Sequence, residues 1–240
     1  MKNLKENLTY LKLPNLAEKI EMYLEQAIEQ QIDKAEFLQK IIFEEVVLKK
    51  QRAVERRIKT SRIPIIKTLD SFEFSHPEKI NPERVRHLFN LAFMKNKRNV
   101  VFCGGVGMGK SHLAIALGLK ACDGGYTVRH CNCVRMINDL SRAHEENRLE
   151  TAIRAYVRPD LLILDELGYI PLDKRGCDIF FQVISRRYEQ ASTVITTNRA
   201  YQDWAKIFNN DAVVASAIVD RVIDGVETII IEGESYRTKG

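Results

Sequence analysis

"GGVGMGKS", residues 104–111, fits the spacing Gly-x-x-x-x-Gly-Lys-Ser through Gly104, Gly109, Lys110 and Ser111. The apolar run "NVVFC" (99–103) precedes it, and "SHLAIALGLKAC" (111–122), with helical texture, follows. A strand, a glycine loop and a helix in that order form the setting in which this spacing cradles phosphate. The glycines permit turns that other residues resist. They bring the backbone N–H groups of Gly104, Gly105, Val106, Gly107, Met108, Gly109, Lys110, Ser111 and His112 around one concavity. The helix start adds unpaired N–H groups and the positive end of its dipole. Lys110 can then neutralise β- and γ-phosphates, and the Ser111 hydroxyl can be a ligand of Mg²⁺. A dinucleotide site would need Gly-x-Gly-x-x-Gly, which Gly105, Gly107 and Gly109 do not supply.

A phosphate loop needs acids on a neighbouring strand, and "LLILDELG" (161–168) ends four apolar residues in Asp165 and Glu166. Asp165 at the strand tip is placed for Mg²⁺, while Glu166 can orient and deprotonate an attacking water. A third strand, "STVITT" (192–197), runs into Asn198. Its amide can reach a γ-phosphate or the lytic water, or it can cap the following helix.

Working outward, short apolar runs alternate with helical stretches from residue 99 onward. "YTVRHC" (126–131) and "VETIIIE" (226–232) complete five predicted strands, with helices starting at Lys110, Val134, Arg175 and Asp211. This alternation predicts an α/β fold, a three-layer arrangement of a parallel sheet covered by helices on both faces. Before it, the first sixty residues read as helix. Leu16, Ile20, Leu24, Ala27 and Ile28 recur at helical spacing, and Asp33 with Glu36 resembles a capping box opening a second helix towards Thr60. "SRIPIIKTLDSFEFSHPEKINPE" (61–83) then interrupts the pattern with three prolines. Asn81-Pro82 reads as a cap followed by proline at the first helical position, opening a helix to about Asn96. The predicted organisation is a helical domain over 1–62, a linker over 63–80 and a nucleotide domain over 81–240.

At 240 residues, 45% hydrophobic and 29% charged, the chain has the composition of a soluble globular protein. No apolar run approaches the roughly 20 residues that span a bilayer, and "MKNLKENLTY" does not read as a signal peptide, so a cytoplasmic location without membrane contact is expected. Five cysteines lack Cys-x-x-Cys spacing, and "HCNC" (130–133) offers at most part of a metal site. Residues 1–99 carry 20 Lys and Arg against 14 Asp and Glu, whereas the remainder carries 17 against 18. This asymmetry points to a polyanionic partner for the front of the chain. "KKQRAVERRIKTSR" (49–62) concentrates it in Lys49, Lys50, Arg52, Arg56, Arg57, Lys59 and Arg62, with one acid. On a helix, Lys49, Arg52, Arg56 and Lys59 share one face, and Phe43, Val47, Val54 and Ile58 lie roughly opposite, available for docking.

The three site elements in this order resemble the additional-strand ATPases of the AAA+ class. "LLILDELGYIPLD", "FFQVISRRYEQASTVITTNRAYQDW", "AIVDRVIDG" and "GESYR" resemble the IstB-like ATP-binding proteins, transposition helpers of bacterial insertion sequences related to the DnaC helicase loaders. "EFLQKIIFEEV" and "KTLDSFEF" extend the likeness over nearly the whole chain. The resemblance implies a P-loop AAA+ domain, ATP, self-assembly on double-stranded DNA, and a catalytic arginine donated by a neighbouring subunit. Arg221 in "VDRVI" matches that arginine; Arg187 in "SRRYE" is the second choice. Arg237 in "SYR" falls on the family's terminal motif as a nucleotide contact. Leu69, Phe72 and Phe74 fall where part of the base pocket is expected. Only 42 residues follow Asn198, so no C-terminal helical lid is expected. Val106 stands where the family frequently has proline, at a side chain that no phosphate contact uses.

The leading expectation is an ATP-dependent regulator of transposition that multimerises on target DNA and stimulates a transposase without itself breaking strands. The alternative is a DnaC-type replicative helicase loader on the same core. A small-molecule kinase would need an acceptor site and a mobile lid, and the sequence suggests neither.

Overall fold

The structure, a computed structural model, describes residues 1–236. The chain forms two compact units, residues 1–56 and 57–240, so the division falls inside the basic helix, a few residues before the expected boundary.

The first unit contains α1 (Lys2–Tyr10), α2 (Pro14–Glu29) and most of α3 (Lys34–Ser61). Proline opens α2, and Asp33 Oδ2 caps α3 by accepting from Ala35 N. Leu8, Leu16, Ala17, Ile20, Tyr23 and Ile41 form its core. Glu45 is buried there, and its Oε2 accepts from Leu16 N at 3.1 Å. A carboxylate from α3 thus satisfies an orphan donor in the first turn of α2. Ile28 is 78% exposed, because twelve residues at 100° each turn it about 120° from Leu16. The expected docking stripe on α3 also divides. Phe43 and Val47 are exposed, while Ile41 and Glu45 face the core of the first unit and Ile58 packs in the second.

The second unit is built on five parallel strands in the order β2-β3-β4-β1-β5. They are β1 (Val100–Gly104), β2 (Val128–Asn132), β3 (Leu161–Leu167), β4 (Ser192–Thr197) and β5 (Glu227–Ile231). Side chains alternate between faces at period two. Val100, Phe102, Leu161 and Ile163 meet Leu113 and Leu117 of α6 (Lys110–Asp123). Val101, Leu162, Leu164 and Ile195 face the other layer, α7 (Cys133–Glu145), α8 (Leu149–Val157), α9 (Lys174–Arg187), α10 (Trp204–Ile207) and α11 (Ala212–Ile223). The short amphipathic α8 adds an element that the alternating pattern did not predict.

Two expectations change here. The helix opened by Asn81, which accepts from Arg84 N, stops at Leu88 as α4 (Pro82–Leu88). Leu91 takes a left-handed φ of 61°, and a separate turn, α5 (Ala92–Lys95), follows. Residues 63–80 also differ from a free linker. Ile63, Leu69, Phe72, Phe74 and Ile80 pack on the core of the second unit, so the segment straps the nucleotide domain.

Arg187, the second choice for a catalytic arginine, is corrected by its burial: it is 1% exposed at the end of α9. Its guanidinium donates to Tyr156 O, Val157 O, Pro159 O, Ser192 O and Thr193 Oγ1. Burial pulls it down to about 10, still a cation at neutral pH. Each of its three guanidinium nitrogens donates within the chain, so this buried cation is a structural pin and not a nucleotide contact. Arg187→Met leaves these carbonyls unpaired and should cost at least about 2 kcal/mol. Guanidinium denaturation of the full chain measures this, and an unchanged midpoint would contradict the assignment.

Candidate functional site

The C-terminal ends of β1, β3 and β4 converge because β4 lies between the other two. Such a corner is where open α/β sheets bind ligands. The loop after β1 turns on Gly107 (φ 78°) and Gly109 (φ 80°), left-handed conformations that favour glycine. Gly109 is the N-cap of α6, with no side-chain cap, which leaves backbone donors at the helix start for an anion. Lys110 is 5% exposed and its Nζ donates to Gly105 O, inside the loop's own curve. Met108 is buried beneath, and Val106 points to solvent.

Ser111 Oγ donates to Asp165 Oδ1 at 2.8 Å, and Thr196 Oγ1 donates to the same oxygen at 2.5 Å. Thr196 Oγ1 also accepts from Glu166 N at 2.9 Å. One hydroxyl on β4 therefore fixes both acids of β3. The ladder between β3 and β4 shifts register between Leu164 and Leu167, and Glu166 adopts φ 65°. This irregularity re-aims consecutive residues, as bulges near functional sites do. Glu166 Oε2 accepts from Asn132 Nδ2 at 2.6 Å, while Asn132 Oδ1 caps α7 through Arg135 N. Asn198 Oδ1 is buried and has no hydrogen-bond partner among the described residues. A buried orphan acceptor just after β4 is costly unless a ligand or water completes it, and the N-cap of the next helical turn is Ala200 and not Asn198.

His130 Nε2 lies 3.9 Å from Asp165 Oδ2. Burial lowers its pKa, partly countered by the Asp165 charge, so the ring is neutral at pH 7. Its neighbours Cys131 and Cys133 are buried free thiols, and burial pushes Cys131 up to about 12. No group of three or more His, Cys, Asp or Glu among the described residues is arranged to hold a metal alone. Within "HCNC", Cys131 and Cys133 belong to the hydrophobic core, while His130 and Asn132 face the acids of β3. Mg²⁺ needs less protein, being held by one or two side chains with phosphates and waters. The paired oxygens of Ser111 and Asp165 fit that demand.

A cleft of about 340 Å³ lies over the loop, lined by residues 106–112, Glu166, Tyr169, Tyr236 and the strap residues Lys67, Ser71–Glu73, His76 and Pro77. Phe72 lies in its wall, whereas Leu69 and Phe74, the other expected base-pocket residues, are not among those lining it. His112 Nε2 lies 2.8 Å from Thr68 O, tying the strap to α6. Arg237 lies outside the described residues.

Arg221 sits at the other end of the sheet. Its carbonyl accepts from Asn99 Nδ2, just before β1, whereas the phosphate loop follows β1. Arg221 Nη1 donates to Ala217 O and its guanidinium covers the Phe181 ring at 4.9 Å. No ion pair among the described residues joins it to Asp220 or Asp224; Asp224 accepts from Tyr188 OH instead. With Lys97 and Arg98 it lines a second cleft of about 260 Å³. Arg221 is thus remote from the phosphate loop of its own chain.

Of the seven basic residues expected to meet DNA, Lys49, Lys50, Arg52, Arg56, Lys59 and Arg62 are exposed. Arg57 is the exception: its Nε donates to Cys122 O at 2.7 Å, so its side chain is spent on the nucleotide unit. In the first unit Lys49, Arg52 and Arg56 join Lys12 and Thr9 around a groove of about 440 Å³. Lys12 was missed because it lies in the α1–α2 turn, far from the basic run. Asn132 was missed because its tetrapeptide drew attention to cysteine; its place before a helix was a capping signal.

A family profile described as IstB-like ATP binding protein matches residues 6–240. A Pseudomonas aeruginosa relative named for ATP binding in insertion sequence IS21 is 41% identical over 239 residues, covering all of this chain and 90% of the relative. A Geobacillus stearothermophilus relative, named likewise for insertion sequence IS5376, is 38% identical, covering 95% and 91%. Among solved structures, the DnaC helicase loader aligns with a TM-score of 0.55 at 20% identity, covering 69% of this chain and 96% of that one. The replication initiator DnaA bound to AMPPCP and single-stranded DNA aligns at 0.57 and 22% identity, covering 70% and 50%. These likenesses place the second unit in the P-loop AAA+ fold.

Proposed function

This chain belongs to the IstB-like ATP-binding proteins, and from that premise we propose that it hydrolyses ATP as a DNA-binding regulator of transposition. One observation carries the catalytic half: Ser111, Asp165, Thr196 and Glu166 form a single hydrogen-bonded set beside the phosphate loop. The triphosphate lies on the N–H groups of residues 104–112 with Lys110 against its β- and γ-oxygens. Ser111 and Asp165 hold Mg²⁺, which neutralises charge on those oxygens when bound. Glu166, oriented by Asn132, takes a proton from water as the water oxygen bonds to the γ-phosphorus and the β–γ bridging bond breaks. ADP and phosphate result. Asn198 Oδ1, whose only need is a donor, orients that water.

Arg221 acts in trans. Its distance from its own loop supports a role at a neighbour's γ-phosphate, which makes turnover depend on assembly. Arg221→Ala should leave nucleotide affinity unchanged yet abolish turnover. Mixing it with Lys110→Ala should restore a fraction, because one of the two mixed junctions pairs the intact loop of the Arg221→Ala subunit with the intact arginine of the Lys110→Ala subunit; no recovery in steady-state hydrolysis would sink the trans assignment.

Duplex DNA meets the exposed cations of α3 and the Lys12 corner through phosphates, with weak sequence preference. The six exposed cations of the basic run, Lys49, Lys50, Arg52, Arg56, Lys59 and Arg62, predict a slope of log K against log salt of about −5. Arg52→Gln should lower its magnitude by about one, whereas Arg57→Gln should leave it unchanged; equal effects would mean Arg57 turns outward. On DNA, an ATP-bound multimer recruits and stimulates a transposase. The likeness to the DnaC fold keeps helicase loading as the second reading. Affinity purification of the full chain from its host decides: a co-purifying transposase supports the first, a replicative helicase the second.

A further inference from the structure

The C-terminal segment returns across the nucleotide cleft. Lys79 N donates to Glu232 O at 3.1 Å and Glu232 N to Lys79 O at 3.0 Å, an antiparallel bridge reinforced by the Lys79–Glu232 ion pair. Further along, His76 Nε2 lies 3.1 Å from Glu234 O. This short ribbon of strap and tail is docked on the phosphate loop itself. Tyr236 N donates to Gly107 O at 3.3 Å, and a Cβ on Gly107 would meet Ser235 Oγ at 2.1 Å. The docking therefore requires glycine at 107 for space as well as for backbone conformation.

The ribbon brings two rings to the cleft, His76 and Tyr236, packed edge to face with centroids 4.7 Å apart. Tyr236 is 52% exposed. Of the other three rings of the wall, Tyr169 follows β3, the strand that carries Asp165 and Glu166, and the remaining two are already engaged. Phe72 packs edge to face on Phe74 and His112 and presses against Gly109, and His112 is tied to Thr68 O. An edge-to-face pair leaves ring surface open for stacking. Base–aromatic stacking is strong and tolerant of base identity.

Resting on the phosphate-loop reading above, we propose that His76 and Tyr236 form the base-contacting wall of the nucleotide site, so that the C-terminal tail supplies part of the grip on the nucleoside. The phosphates are held by the loop and the base by the ribbon, and the Tyr236–Gly107 hydrogen bond joins the two. The site takes a nucleoside triphosphate in preference to bare polyphosphate because of this wall.

Binding of ATP and of inorganic tripolyphosphate, each with Mg²⁺, is measured by calorimetry on the full chain. Wild type should bind ATP more tightly than tripolyphosphate. Tyr236→Ala and His76→Ala should each weaken ATP by about tenfold and leave tripolyphosphate unchanged, and Tyr236→Phe should restore ATP binding. The inference is overturned if ATP affinity is unchanged in both alanine variants. It is equally overturned if both ligands weaken together, since the ribbon would then only support the loop. A wild-type protein that binds tripolyphosphate as well as ATP removes the wall and keeps the loop; one that binds neither removes both.

Discussion

Lys110→Ala should weaken Mg²⁺-ATP binding by roughly 1,000-fold, about 4 kcal/mol, and abolish ATP-dependent assembly at ordinary nucleotide concentrations. The size follows from where the ammonium sits. Lys110 is 5% exposed, at the first turn of α6, whose start has no side-chain cap, and its Nζ turns into the loop towards Gly105 O. In that partly desolvated site a lost charge–phosphate contact costs far more than at the surface. The fold should survive, because Lys110 faces the loop's concavity and the sheet core is built from other residues. Calorimetry of nucleotide binding, beside thermal unfolding as a control, separates the two. ATP affinity within a few-fold of wild type would remove the lysine from the phosphate site.

Glu166→Gln should separate binding from hydrolysis. Glutamine keeps the shape and the contact with Asn132 but cannot take a proton, so turnover should fall by about 10²–10⁴-fold. ATP affinity should remain, since phosphates and Mg²⁺ are assigned to Lys110, Ser111 and Asp165. The variant should therefore accumulate as an ATP-bound multimer on DNA. Phosphate release in single turnover reads the first effect, and filter retention of duplex DNA the second. Turnover near wild type would transfer the general-base role elsewhere.

Much of this was legible in the chain because the signals are local. All five strands were marked by apolar runs between turn residues, and the glycine loop declared its strand–helix setting. The acids Asp165 and Glu166 could be placed at a strand tip, yet not the register shift and φ of 65° that re-aim Glu166. That feature depends on β4 lying beside β3. The contacts that complete the site are all long-range: Asn132 to Glu166, Thr196 to Asp165, and Tyr236 to Gly107. No periodicity announces such pairs. Prolines in 64–82 suggested a tether, but Leu69, Phe72 and Phe74 pack on the core, and proline marks only the loss of helix. Helical spacing likewise grouped Phe43, Val47, Val54 and Ile58 as one docking face. α3 instead serves two units, and its buried side differs in each. Arg187 and Arg57 looked like available cations because charge in sequence says nothing of the carbonyls waiting in the fold.

The most direct measurement is a crystal structure of the full chain with Mg²⁺ and a non-hydrolysable ATP analogue. The account predicts triphosphate oxygens on the backbone N–H groups of residues 104–112, Lys110 at the β- and γ-oxygens, and Ser111 and Asp165 at the metal. Nucleotide bound elsewhere, or Asp165 directed away from the metal, would contradict it.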